Sequence, residues 1–255
     1  MRHAIPLRLV AIGLALIFTA TASGQPQTTG EVLGRLIASY GGEENLQKLD
    51  SMVQEWDLLA LTRNQQGSDK RSVRLPEQLK IELTYPDKRE TRVLNGDSGY
   101  AIFDDREPAA ASAMQTGAMR LQLMRLYSPL TLRDKIDSLA MSGGDGYLTL
   151  TLSEHGLQAD YIVSTETWHI VKVVGRLLMN GASMQFVTEY SEFAMVDGVL
   201  VPHRENKFVG GMNTAVLRLQ RITVDATLDD DEFEPRKNPA DPVIAANRER
   251  DRSMT

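Results

Sequence analysis

Outside the N-terminal leader, three histidines, His155, His169 and His203, are the side chains best suited by type to acid–base or metal chemistry. None has a His or Cys partner at metal-ligand spacing, and each lies within or at the end of a strand-like pattern. They read as surface or hydrogen-bonded histidines. The acidic run Asp229, Asp230, Asp231, Glu232 lacks the alternating ligand spacing and central glycine of a calcium loop, so it reads as a solvated turn. "SGGDG" at 142–146 joins two strand patterns and predicts a hairpin turn, not a phosphate cradle. The chain carries no cysteine, which removes thiol nucleophiles and thiolate metal sites. No G-x-S-x-G, P-loop, G-x-G-x-x-G or H-E-x-x-H pattern is present. The sequence therefore predicts no catalytic residue, no metal, no cofactor and no enzyme.

The elements that would position such residues begin with a leader. "MRHAIPLR" is a basic head, "LVAIGLALIFTATA" is an apolar run, and Ala20-Thr21-Ala22 or Ala22-Ser23-Gly24 offers a small-residue cleavage site. Residues 1–24 are expected to be a signal peptide, and the mature chain a soluble periplasmic protein. With no cysteine after the apolar run, acylation on an N-terminal cysteine is excluded, and so are disulfides. The 28 basic and 34 acidic residues give a net charge of −6, and the leader removes two arginines with it. That balance disfavours nucleic acid and anionic membrane surfaces as partners.

Residues 31–49 carry Val32, Leu33, Leu36 and Ile37 at helical spacing, ended by Gly41-Gly42 and followed by a second short helix. The pattern then turns to β. Leu79, Ile81, Leu83 and Tyr85 alternate with Gln78, Lys80, Glu82 and Thr84, which predicts a sheet wet on one face. About ten to twelve strands of meander type are expected, without a βαβ rhythm. One helical segment, 112–136, interrupts them and is broken at Pro129. The expected organisation is one β domain over 25–236 and an extended, disordered, mixed-charge tail over 237–255.

A curved sheet with that many strands stays open or encloses space, and its apolar face needs a cover. The Met/Leu-rich segment 112–136 is the candidate cover; it either completes a solid core or roofs a cavity. Its flexible methionines suit a surface that repacks around variable apolar ligands. Alternation nominates Trp56, Leu58, Leu79, Ile81, Leu83, Met114, Leu121, Met124, Leu150, Met184 and Phe186 as cavity lining. The late hairpin "YSEFAMVDGVLVPHRENKF", 190–208, reads as wall, with His203, Arg204 and Glu205 mainly toward solvent or the rim.

Four stretches in order, "LIASYGGEENLQKLDSMV", "LNGDSGYAIFDD", "TEYSEFAMVDGVLVPHRENKF" and "RITVDATLDDDEFEP", resemble the periplasmic outer-membrane lipoprotein-sorting (LolA-like) superfamily. The marks within them are Gly41-Gly42, the Gly198-x-x-x-Pro202 spacing and the Asp230-x-x-Phe233-x-Pro235 ending. One departure falls at Ser164, where relatives often carry an aspartate. The resemblance implies a mainly antiparallel, unclosed β-barrel whose covering α-helices form a lid over a hydrophobic cavity. It further implies a carrier that shuttles a lipid or acylated protein cargo toward the outer membrane as a monomer. Its partners would be an inner-membrane transporter and an outer-membrane acceptor. The same fold also implies a second reading, a module that senses lipid or envelope stress and regulates a membrane partner. An enzyme acting on an envelope lipid is a third, and would need a convergent acid/base pair.

Overall fold

Thirteen strands form one continuous antiparallel sheet in the computed structural model, which describes residues 28–144, 146–179, 182–239 and 242–253. The expected signal peptide lies outside the described residues. The chain opens with α1 (Thr29–Ser39) and the one-turn α2 (Glu43–Leu46), then runs through β1 (Ser51–Ala60), β2 (Gln65–Arg74), β3 (Gln78–Thr84), β4 (Arg89–Asn95), β5 (Ser98–Phe103) and β6 (Ala109–Ala110). Two helices follow, α3 (Ala113–Met124) and α4 (Pro129–Asp134). The sheet resumes with β7 (Leu139–Gly144), β8 (Tyr147–Glu154), β9 (Leu157–Ser164), β10 (Ile170–Met179), β11 (Ala182–Val196), β12 (Val199–Val209) and β13 (Met212–Val224). Strand order is β6-β5-β4-β3-β2-β1-β13-β12-β11-β10-β9-β8-β7, so the last strand closes onto the first while β6 and β7 remain unpaired edges. The barrel is unclosed. The sequence pattern omits β6 and β7, the two edges: one is two residues long and the other, "LAMSGG", lacks alternation.

Period-2 alternation sets the concave face. Met52, Trp56, Leu58 and Ala60 on β1, Leu79 and Ile81 on β3, and Leu148, Leu150 and Leu152 on β8 are buried along it. Helix α3 packs against β3, β4 and β5 on one side and β9 and β10 on the other, so the two halves of the sheet curl around it. Small residues permit that seating. A Cβ on Gly99 of β5 would meet Thr116 Oγ1 at 2.5 Å, and one on Gly175 of β10 would meet Leu121 at 3.2 Å.

The ends of α3 are fixed differently. Its N-terminus carries a capping box between Ser112 and Gln115. Carbonyls at the C-terminus accept from tyrosines as well: buried Tyr161 Oη donates to the Met124 carbonyl at 2.7 Å, beside the Tyr127 amide, and half-buried Tyr190 Oη donates to that of Arg125 at 3.1 Å. Arg120 ties the middle of the helix to the β4–β5 turn, donating to the Gly96 carbonyl and to Asp97 Oδ1.

Two of the sequence marks meet in space. The β11–β12 turn, Asp197-Gly198, has both φ angles positive (49° and 85°), as a two-residue hairpin demands. The Gly41-Gly42 end of α1 packs on it so closely that a Cβ at Gly41 would lie 1.9 Å from the Gly198 carbonyl oxygen.

The C-terminal segment differs from the extended tail expected. After β13, Phe233 inserts fully buried beside Val93 and Ile102 on the convex face, and Asn238 accepts from Thr91 Oγ1 at 2.8 Å. The acidic run is the solvated turn expected, with Asp229, Asp230 and Asp231 exposed, and it is tied to the sheet: Asp230 pairs with Arg74, and Glu232 accepts from Ser72 and Lys80. Beyond it, Pro242–Ser253 forms a helix, α5, with Ile244 buried.

Candidate functional site

Between α3 and the curl of the sheet, lined by β1–β5 on one side and β10–β13 on the other, lies a cavity of about 460 Å³, in the size range of small-molecule sites. Exposed Thr62, Arg63 and Gln115 mark its mouth. Leu58, Ile81, Leu83, Leu121 and Phe186, all nominated from the sequence, line it, together with Tyr85, Met119 and Val173. The other nominated residues lie elsewhere. Trp56 borders a separate void of about 80 Å³. Leu79, Met124 and Leu150 are fully buried in the packed core. Met114, in the first turn of α3, is 48% exposed, and Met184, near the start of β11, is 36% exposed. For these two the period was right but the position was not, because each sits at the end of its element, beyond the packed surface.

The cavity is not uniformly apolar. On one wall Glu90 and Arg92 of β4 pair with each other, and deeper in, five charged side chains cluster on or behind the lining: Asp69 and Arg71 from β2, Glu205 and Lys207 from β12, and Arg125 just after α3. Strand pleating places them. Asp69 and Arg71 share the face of Val73, and Glu205 and Lys207 share that of Val201. Two strands, β1 and β13, separate β2 from β12, so Arg71 and Glu205 stand three strand spacings apart, about 14 Å at roughly 4.8 Å each. They nonetheless meet, with Arg71 Nη1 and Nη2 each 2.9 Å from an oxygen of Glu205. The curl of the sheet brings them within reach.

Arg71 is the hub. It also donates from Nε and Nη2 to Asp69, the latter at 2.9 Å, and from Nη1 to Gln54, while its guanidinium lies 4.9 Å from the Trp56 ring centroid. Lys207 Nζ stands 3.4 Å from Asp69 and 3.7 Å from Glu205. Burial works to raise the pKa of both carboxyls, but Arg71 beside each holds both below the ordinary carboxylate range. They are ionised at neutral pH and cannot serve as proton donors there. Lys207 moves the other way: burial, with Arg125 and Arg71 nearby, pushes its ammonium down to about 7 despite the two carboxylates.

Arg125 lines both the cavity and the smaller void. Its Nη1 donates to Thr188 Oγ1 at 3.2 Å, while the buried Nε and Nη2 have no hydrogen-bond partner among the described residues. Neighbouring Gln122 Oε1 is likewise buried and unpartnered.

The sequence reading missed this cluster and sent Glu205 toward solvent; it is 1% exposed. The error was one of face. Val199 and Val201 point inward, and Glu205 continues their alternation. A signal existed: Asp-x-Arg and Glu-x-Lys, each an acid and a base two residues apart, fall in phase with inward valines on two different strands. Arg204, on the opposite face, does lie toward solvent beside Glu192. His169 packs between Tyr40 and Phe193 with its pKa lowered by burial, and His155 sits in the β8–β9 turn. Among the described residues no group of three or more metal-ligating side chains gathers, and no helix is long and apolar enough to cross a membrane.

No family model matches the sequence, and no curated protein matches it. Solved structures do match. A LolA superfamily protein from Nitrosomonas europaea aligns with 81% of this chain and 97% of its own at 14% identity, with a TM-score of 0.51. The fold is LolA-like. An outer membrane lipoprotein-sorting protein domain from Vibrio parahaemolyticus aligns with 80% of this chain and 95% of its own at 9% identity and a TM-score of 0.48. At such identity the likeness concerns the LolA-like sheet and its covering helices, and leaves open what the cavity holds.

Proposed function

We propose that this protein binds the acyl chain of a lipid or lipoprotein in the cavity beneath α3 and carries it through the periplasm toward the outer membrane. The observation that supports this reading is the cavity itself: about 460 Å³ beneath a helical cover, with Leu58, Ile81, Leu83, Leu121 and Phe186 on its wall. Withdrawing an acyl chain from water is favourable by about 0.8 kcal/mol per CH₂. A free lipid therefore does not cross an aqueous compartment at useful rates, and a sheltering cavity removes that barrier. The volume suits one acyl chain better than a whole diacyl lipid. The role needs binding and release, not bond making, so the proposal is a non-enzymic carrier. Its donor and acceptor would be membrane proteins that load and unload it.

Mass spectrometry of the mature protein, purified gently from periplasm and sprayed before and after denaturation, tests the reading. A released acyl-bearing molecule in near-stoichiometric amount is expected. A clean apo mass, with no uptake from lipid vesicles, would overturn it.

A further inference from the structure

The charged cluster carries an inference that rests on, and deepens, the acyl-cavity reading. Three cations, Arg71, Arg125 and Lys207, face two carboxylates, Asp69 and Glu205, in one buried network. Glu205 commits each oxygen to Arg71 at 2.9 Å, and Asp69 is shared between Arg71 and Lys207. With Lys207 protonated, one positive charge in this cluster is left unmatched. It falls on the cavity side, because Arg125 and Lys207 line the cavity whereas Arg71 does not. The buried Nε and Nη2 of Arg125 lack a hydrogen-bond partner among the described residues. Leaving buried guanidinium donors unpaired is costly, and the planar fork they form suits two oxygens of one anion.

We propose that Arg125 and Lys207 are the docking site for a single carboxylate or phosphate group, so that the occupant of the cavity is an anionic amphiphile with its head on these residues and its chain along Leu58, Ile81, Leu83, Leu121 and Phe186. Thr188 Oγ1, already bonded to Arg125, holds the guanidinium in place from β11. The other carboxylate lining the cavity, Glu90, is paired with Arg92 at 2.7 Å, so the second carboxylate needed to balance Arg125 and Lys207 comes from the ligand. The depressed pKa of Lys207 agrees: burial, with Arg125 and Arg71 nearby, outweighs Asp69 and Glu205, and an added anion would restore its proton.

Isothermal titration calorimetry on the full mature chain at low salt, with dodecanoate, methyl dodecanoate and inorganic phosphate as probes, tests this. Dodecanoate is expected to bind about ten- to a hundredfold tighter than the methyl ester, the range for hydrogen bonds to a charged group. Near pH 8 its binding should take up a proton, read as a heat that varies with the ionisation enthalpy of the buffer. In Arg125→Gln the acid-over-ester preference should fall toward one. Should that variant misfold by circular dichroism, Lys207→Met carries the same test, and the wild-type acid-to-ester ratio needs no variant at all. Equal affinity for acid and ester in the wild type would overturn the anion site while leaving the apolar cavity standing. Uptake of inorganic phosphate with no binding of either dodecyl probe would keep the anion site, assign it to a free anion, and overturn the acyl reading. No binding of any probe would overturn both.

Discussion

Two regions of the sheet, one at the β8–β9 end and one around the β1/β13 junction, present the same pleat to the interior and fill it in opposite ways. On β8 and β9, Leu148, Leu150, Leu152, Ala159, Tyr161 and Val163 pack with Leu123, Met124 and Leu132 of the covering helices, and the one carboxylate in phase with the β8 leucines, Glu154 at the strand's end, is bonded to Tyr127 Oη and Lys135 Nζ. Around β2 and β12, the equivalent inward positions hold Asp69, Arg71, Glu205 and Lys207, and a cavity opens beside them. Hydrophobic packing stabilises a fold, whereas a buried ion network gains little over apolar residues of the same volume. One region therefore anchors the cover, and the other keeps polarity and open space that stability alone would not favour.

Breaking the network tests the charged region most severely. Arg71→Met leaves Asp69 and Glu205 buried with little to pair them, and urea unfolding is expected to show a loss of about 3–5 kcal/mol. Adding Asp69→Asn and Glu205→Leu to the same chain should recover much of it, since the penalty lies in orphaned charge. In the apolar region, Leu152→Ala should cost about 2–5 kcal/mol by the same measurement. Its affinity for an acyl probe should stay unchanged, because Leu152 does not line the cavity. An affinity loss there would break the division between the two regions.

Ala118 of α3 lines the cavity, and Ala118→Leu fills space without removing a contact. Acyl-probe affinity is expected to fall about tenfold, with the melting temperature held or raised. A smaller effect sharpens the charged region. With the ammonium of Lys207 at about 7 in the folded chain and near 10.5 when unfolded, the unfolded chain binds more protons between those values. The contribution of Lys207 to stability therefore rises with pH across that window, and its full cost is present below pH 7. Lys207→Met should be relatively most stabilising near pH 6, and its advantage should fade by pH 10.5 in urea titrations. Least of all, Arg133→Ala should leave the melting temperature unmoved. Its partner Glu43 is solvent-exposed, so the pair is screened.

Much of the fold was legible because burial on one face imposes a period. Leu79, Ile81 and the β8 leucines declared their face at once, and the Pro129 break fell where α4 begins. Asp197-Gly198 announced its turn, since few residues accept two successive positive φ angles. The edges β6 and β7 were missed because an edge strand needs neither length nor alternation. The polar composition beyond 236 pointed to an extended tail, yet Asn238 bonds to Thr91 and Ile244 is buried on a helix, contacts that no local composition records.

By itself, the sequence determined the antiparallel meander, the helical cover and the apolar character of most inward positions, since local periodicity records which face is buried. It could not determine that Arg71 meets Glu205, 134 residues later, or that Arg125 comes near enough to act on that carboxylate. Those meetings depend on β13 pairing with β1 and on the curl of the sheet, and both are decided by long-range packing that no local pattern records.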